Sequence, residues 1–129
     1  MLAACKVPAD PEGTTVEVTG DLLKVGALTT PLDTTDAEAV RRISEAMQAQ
    51  TELVTGDPHS LFTQLEEGAI HLVAGRIPAN TPFSADVGLS APIGRIQLAG
   101  ESEDRVLAIR KGENRFLVTL NRAIEGMGN

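Results

Sequence analysis

The hydrophobic positions of this chain alternate between short, mainly apolar runs and runs with helical spacing. Residues 22–27 form a short, mainly apolar run suited to a buried strand, and a threonine-rich loop is predicted after it. Apolar residues then recur at helical spacing between residues 40 and 47. We therefore predict a helix that begins with a capping box at residues 35–38 and continues to about residue 49.

The same alternation repeats further along the chain. Residues 52–54 and 70–74 predict the second and third strands. Between them, Asp57-Pro58 supplies a helix cap and a proline at the first helical position, and Gly68 is suited to end the helix. Strand, helix, strand, helix, strand is the order of right-handed βαβ units, so we predict an α/β fold in which helices flank both faces of a small sheet.

The pattern changes after Ser90. Residues 93–98 and 105–110 predict two further strands joined by a polar turn at residues 100–104. A last helix is predicted to open at Glu113 or Asn114, and an apolar stripe follows along it. The single small sheet is therefore expected to be mixed and to be followed by a terminal helix.

Composition limits the chain to one domain and excludes some partners. With 129 residues and 42% hydrophobic content, it is long enough for one core and too short for two ordinary lobes. Eleven basic and eighteen acidic residues give a net charge of −7, which opposes nucleic-acid binding. No apolar run reaches the ~18 residues of a membrane-spanning helix, so a membrane is expected to be contacted only through an anchor.

The sequence offers little chemistry for catalysis. His59 and His71 do not have the spacing of a metal-binding motif, and no nucleophile–base pair or glycine-rich phosphate loop is present. We therefore predict no metal, no cofactor and no enzymatic activity.

The extreme N-terminus carries one short motif. Leu2-Ala3-Ala4-Cys5 resembles the lipobox of bacterial lipoproteins, in which the cysteine is acylated. Residues 1–20 are interpreted as a lipobox remnant and a flexible tether, and residues 21–129 as the folded lobe. Two explanations stay open: the chain begins inside its signal peptide, or Met1 is the true start and the match is chance.

The segment 67–75 (EGAIHLVAG), followed by residues 87–92 (VGLSAP), carries a resemblance to a known family. Helix end, buried strand, loop and a strand ending in Ser-x-Pro resemble the first lobe of type 2 periplasmic solute-binding proteins, which feed amino acids and other polar solutes to ABC importers. In that family the chain leaves for a second lobe after Ser-x-Pro and returns through a strand and helix, here residues 106–117. Only residues 93–105 lie between, whereas a second lobe needs about a hundred residues.

The resemblance also implies where a solute would be bound. In the family an aromatic residue often follows the first strand, and a Thr and an Arg after the third strand hold the α-carboxylate of an amino acid. Here the first loop has no aromatic residue, and the Thr and Arg positions fall on Pro78 and Phe83. The candidate ligand-binding residues that remain lie in these same two loops: Thr29, Thr30, Arg76, Asn80 and Thr81.

Two interpretations of those loops remain open. In the first, the chain is a lipid-anchored, solute-binding-like protein of the cell envelope that is associated with an ABC importer and binds small polar solutes weakly or not at all. In the second, Arg76 is merely solvated, residues 80–82 cap a turn, and the chain is a non-catalytic envelope interaction module that kept the lobe and lost the ligand site. A lone lobe exposes its strand ends, so a homodimer or partner complex that covers Phe83 is expected.

Overall fold

A computed structural model of the chain describes residues 9–128. Within that range the elements follow one another in this order: α1 (Thr14–Val18), β1 (Leu22–Ala27), α2 (Thr34–Ala46), β2 (Gln50–Thr55), α3 (Pro58–Glu67), β3 (Leu72–Pro78), β4 (Val87–Leu89), β5 (Gly94–Leu98), β6 (Glu101–Arg110) and α4 (Asn114–Ala123). The alternation of strands and helices read from the hydrophobic pattern is confirmed.

The six strands form one mixed sheet with the order β2-β1-β3-β6-β4, and β5 also pairs with β6. Strand β1 is parallel to both β2 and β3. Strand β6 is antiparallel to β3 on one side and to β4 and β5 on the other. The βαβ prediction and the prediction of a mixed sheet are both confirmed.

Helices cover both faces of the sheet, and each face has its own apolar core. On one face the buried side chains of α2 and α4 pack on those of β1, with Leu23, Ile43 and Phe116 among them. On the other face α3 packs on β3 through Leu61 and Val73. The strands alternate between these two cores, as the period-2 geometry of a strand requires.

The beginning of α2 differs from the predicted capping box. The N-cap is Asp33, whose carboxylate accepts a hydrogen bond from the Asp36 amide at 3.3 Å. Thr35 lies inside the first turn, and the Glu38 carboxylate binds two arginine side chains one turn further along α2. The capping box was wrong because the Asp33 side chain satisfies the free amide of the first turn, while Glu38 is occupied elsewhere.

The N-terminal segment also differs from the predicted tether. Val18 is completely buried in the core beneath α2 and α4. The Asp10 carboxylate accepts a hydrogen bond from the Phe116 amide at 2.8 Å, and the Thr14 hydroxyl donates to Glu113 at 2.6 Å. Residues 10–20 therefore pack on the lobe instead of extending from it, because they cap the otherwise unsatisfied start of α4. The lipobox with Cys5 lies outside the described residues.

The segment at which the resemblance implies a second lobe is a tight hairpin. Strands β5 and β6 pair from Gly94↔Arg105 to Leu98↔Glu101, which leaves only Ala99 and Gly100 as the turn. Both turn residues have positive φ, 51° and 82°, as a two-residue hairpin turn requires. The predicted polar turn was too long, because residues 101–104 already belong to β6.

Candidate functional site

The loop after β1 and the bend in β3 lie side by side at the carboxyl end of the parallel strands. The Leu28 amide donates to the Ala74 carbonyl at 2.9 Å, and a Cβ added at Gly75 would lie 2.7 Å from the Leu28 Cβ. Gly75 and Arg76 both have positive φ, 135° and 57°, and the register with β6 shifts at this point. Strand β3 therefore carries a bulge, which frees the Arg76 amide from the strand ladder.

Four charged side chains meet beside this bulge, and we call them the strand-end cluster: Asp33, Asp36, Arg76 and Arg105. Arg105 Nη2 donates to Asp36 Oδ2 at 2.7 Å and also to Asp33. The freed Arg76 amide donates to Asp36 Oδ2 at 3.0 Å, and Arg76 Nη1 lies 3.4 Å from Asp33 Oδ2. Two guanidinium groups thus neutralise two carboxylates within the cluster.

Burial and neighbouring charge shift the pKa values of the two carboxylates of the strand-end cluster in opposite directions. The hydrogen bond from Arg105 lowers the pKa of Asp33 to about 2, because it favours the ionised carboxylate. Burial raises the pKa of Asp36, whose side chain is 0% exposed. Asp33 is thus the permanent anion of the cluster at neutral pH, and it is also the one that faces solvent.

Some polar atoms near the cluster are buried without a hydrogen-bond partner in the described structure: Thr29 Oγ1, Asp36 Oδ1 and Arg105 Nε. Thr29 therefore turns its hydroxyl into the protein, whereas Thr30 next to it is exposed. Of the five candidate ligand-binding residues, Arg76 is joined to the loop after β1 through its contact with Asp33.

Asn80 and Thr81 belong to the turn that follows β3. The Thr81 amide donates to the Pro78 carbonyl at 3.0 Å, and its hydroxyl accepts from the Phe83 amide at 3.3 Å. Thr81 is 6% exposed, and Asn80 is exposed. The hydrogen bonds of Thr81 thus serve the turn itself, as the second interpretation expected.

Phe83 completes the core beneath this turn. Its ring stacks on Phe62 of α3 with the ring centroids 4.2 Å apart and the planes inclined by 10°. Offset or stacked aromatic pairs of this kind stabilise a core beyond the area they bury. The position at which the family resemblance placed a carboxylate-binding arginine is therefore used for packing.

His71 forms hydrogen bonds to neighbouring elements of the fold through both of its ring nitrogens. Its Nδ1 accepts a hydrogen bond from the Lys24 amide at 3.0 Å, so the ring proton is on Nε2, which lies 2.6 Å from a Glu17 carboxylate oxygen. Among residues 9–128, no group of three or more His, Cys, Asp or Glu side chains is arranged to hold a metal ion. Within the same residues no helix has the length and apolarity to cross a membrane.

One cavity lies away from the strand-end cluster. It measures about 500 Å³ and lies between the segment after β4 and the end of α4. Its lining includes Pro92, Asn121 and Ile124, and none of the five candidate ligand-binding residues.

Sequence reasoning missed Asp33, Asp36 and Arg105 as members of the site. Asp33 carried one usable signal, because an aspartate immediately before a helical pattern is a standard N-cap. The Arg105–Asp36 pair carried none, since the two residues are 69 positions apart.

The same arrangement of strands and helices occurs in solved structures. Domain 1 of TmArgBP in its arginine-bound form matches with a TM-score of 0.68 and 18% identity, over 80% of this chain and 90% of that chain. The ancestral cationic amino acid solute-binding protein AncCDT-1 matches with a TM-score of 0.70 and 11% identity, over 90% and 92%. The L-cystine solute receptor of Neisseria gonorrhoeae, unliganded and open, matches with a TM-score of 0.66 and 13% identity, over 88% of each chain.

This chain has the fold of one lobe of a type 2 periplasmic binding protein. The resemblance seen in residues 67–92 is thereby confirmed at the level of the fold. No protein-family model matches the sequence, and no curated protein matches it.

The exit and return segments of the lobe are joined directly. The Ser90 amide donates to the Leu107 carbonyl at 2.9 Å, and the Ser90 hydroxyl accepts from the Leu107 amide at 2.9 Å. The Ala91 amide donates to Asn121 of α4 at 2.8 Å. The Ser-x-Pro segment therefore closes one lobe on itself, because it ties the end of β4 to both β6 and α4.

Proposed function

We propose that this chain is a non-catalytic, solute-binding-like protein of the cell envelope, anchored by lipid at Cys5 and associated with an ABC importer. On its own it binds small polar solutes weakly or not at all. The fold supports this proposal, as do similar structures that are described as binding arginine, glutamine or cystine. A periplasmic binding protein of Salmonella typhimurium is among them, which favours an extracytoplasmic location.

The proposal of weak binding is supported by the ion pairs of the strand-end cluster, in which the two arginines are already paired with two aspartates. Asp33 and Asp36 already occupy both guanidinium groups, so an incoming α-carboxylate has to compete with a protein carboxylate for Arg76. The buried guanidinium–carboxylate pair that the resemblance implies at position 83 would contribute ~2–5 kcal/mol, a factor of tens to thousands in affinity, and Phe83 does not supply it. The remaining contacts that Thr29, Thr30, Asn80 and Thr81 offer are neutral, and a single lobe does not enclose the solute.

Replacing the competing carboxylate tests this explanation. In Asp33→Asn the helix keeps a good N-cap residue, while Arg76 loses its anionic partner. We expect carboxylate-containing amino acids to bind the variant about tenfold more tightly than the wild type. NMR chemical-shift titration measures both affinities.

Asp104→Asn is the matched control, because it frees the exposed Arg95 elsewhere on the lobe. Adding Arg76→Ala to Asp33→Asn should abolish the gain. An equal gain in the Asp104→Asn control, or none in Asp33→Asn, would contradict the role given to the cluster.

The anchor is tested separately, since Cys5 lies outside the described residues. When the gene is expressed with its own upstream region, Cys5→Ala should move the protein from the membrane fraction to the soluble fraction. Wild type and variant that partition equally would remove the lipid anchor from the proposal, and the solute-binding proposal would be unaffected.

The second candidate function is an envelope interaction module without a ligand site. The Phe62–Phe83 stack favours it, because a core-packing ring occupies the position at which the resemblance implies the carboxylate-binding arginine. Under this function Asp33→Asn also fails to bind any solute, whereas the importer-associated function predicts the tenfold gain described above.

A further inference from the structure

Strand β2 forms an open edge of the sheet. Within residues 9–128 its one strand partner is β1, to which all its residues pair in unbroken parallel register. Val54 is half-buried and every other residue of β2 is exposed, including Leu53, whose side chain is 53% exposed. An edge of this kind presents unpaired backbone donors and acceptors to other chains.

The hydrogen bonds of β2 define which backbone groups point outward. The Gln50 amide donates to the Asp21 carbonyl at 2.9 Å, so Gln50 faces β1. Because successive residues of a strand alternate between its two edges, Thr51, Leu53 and Thr55 point their amide and carbonyl groups away from β1. Three donors and three acceptors are thus presented along the outer edge.

This edge lacks the features that usually prevent strand addition. Its sequence, QTELVT, contains no proline, lysine or glycine and a single charge, Glu52. The opposite edge of the sheet is divided between the three residues of β4 and the five of β5. The edge of β2 is therefore the longer continuous edge.

The geometry points to a homodimer in which β2 pairs antiparallel with β2 of a second copy, about a two-fold axis through Leu53. In this register Leu53 lies opposite Leu53 of the other copy, and Thr51 lies opposite Thr55. Each facing pair exchanges two backbone hydrogen bonds, so all the outward donors and acceptors are satisfied. The self-complementary sequence selects a second copy of this chain as the partner.

Neighbouring registers are less favourable. Centring the axis on Glu52 places two carboxylates directly opposite each other and leaves Thr55 unpaired. Centring it on Val54 leaves Thr51 unpaired. Only the register centred on Leu53 uses every outward group, and it places no two carboxylates directly opposite each other.

The side chains next to the seam suit the same register. Thr51 and Leu53 line a groove of about 350 Å³ against α2, together with Ala37, Val40, Arg41 and Ser44. Arg41 is already paired with Glu38 and Glu45, so the groove carries no unbalanced cation. Two facing Leu53 side chains would cover apolar area that each copy alone leaves in water.

Light scattering over a range of concentrations tests the dimer, with Leu53→Lys as the variant. Wild type should be dimeric, and Leu53→Lys should raise the dissociation constant by about tenfold or more, since it places two like charges at the axis. Leu98→Lys is the matched control, because Leu98 is a 41% exposed leucine on β5. Circular dichroism confirms that each variant is folded.

Cysteine cross-linking locates the axis independently. In a Cys5→Ser background, Leu53→Cys should form an interchain disulfide, since facing residues of a hydrogen-bonded antiparallel pair have Cα atoms about 5.5 Å apart, within disulfide range. Glu52→Cys faces Val54 of the other copy and should cross-link far less. A monomeric wild type, or a dimer unaffected by Leu53→Lys and cross-linked equally at both positions, would overturn the inference.

Discussion

The Asp36 carboxylate is fully buried and receives hydrogen bonds from the Arg76 amide and the Arg105 guanidinium. One residue of α2 is thereby fixed to both β3 and β6. A buried carboxylate is tolerated only when its charge is paired, so the arginine is required for the stability of the lobe. The Asp33 carboxylate, whose pKa Arg105 lowers, lies beside the same pair and contacts Arg76.

We expect Arg105→Met to lower the free energy of unfolding by ~3–5 kcal/mol, because it leaves Asp36 buried without its cation. Arg95→Met removes an exposed pair with Asp104 and should cost less than ~1 kcal/mol. Urea denaturation of both variants gives the comparison. Equal losses would show that burial of Asp36 is not what makes Arg105 important.

Little of this residue-level site could be read from the sequence. The cap of α2 was predicted at Thr35 and not at Asp33, and Arg105 appeared only as one position of a predicted strand. The bulge that frees the Arg76 amide depends on the close approach of Gly75 to Leu28, which are 47 positions apart in the chain. Contacts between distant segments have no local pattern, so spacing rules do not reveal them.

Among the elements, α1 differs most from what the sequence predicted. It has only five residues, too few for a helical hydrophobic pattern to emerge, and the segment around it was predicted as a tether. Its position depends on hydrogen bonds of Asp10 and Thr14 to the start of α4, which lies more than ninety positions further along the chain. By contrast, β1 and α3 were predicted well, because their apolar runs, cap and terminal glycine are all local signals.

Paired valines of α1 test whether this segment belongs to the core. Val18→Ala should lower the free energy of unfolding by ~2 kcal/mol, since it removes buried methyl groups and leaves a cavity. Val16, which is 71% exposed, is the matched control, and Val16→Ala should change stability by less than ~0.5 kcal/mol. Denaturation midpoints that shift equally for both variants would instead indicate a detached tether.

For the whole molecule, a hairpin with a two-residue turn joins the predicted exit and return segments of the lobe. Ser90 closes the lobe on β6, Phe83 packs under the turn after β3, and the strand-end cluster neutralises itself. The sequence predicted the missing lobe from length alone, because no segment of about a hundred residues lies between the exit and return segments. It did not predict that the charged side chains of the strand-end cluster would pair with one another.

Calorimetric titration of arginine, glutamine and cystine into the wild-type chain tests the central claim most directly. We predict dissociation constants in the millimolar range or no measurable heat, because Asp33 and Asp36 already hold both guanidinium groups and one lobe encloses no solute. A micromolar dissociation constant, ~8 kcal/mol of binding free energy, would contradict the account by showing that Arg76 and the neighbouring loops form a complete site.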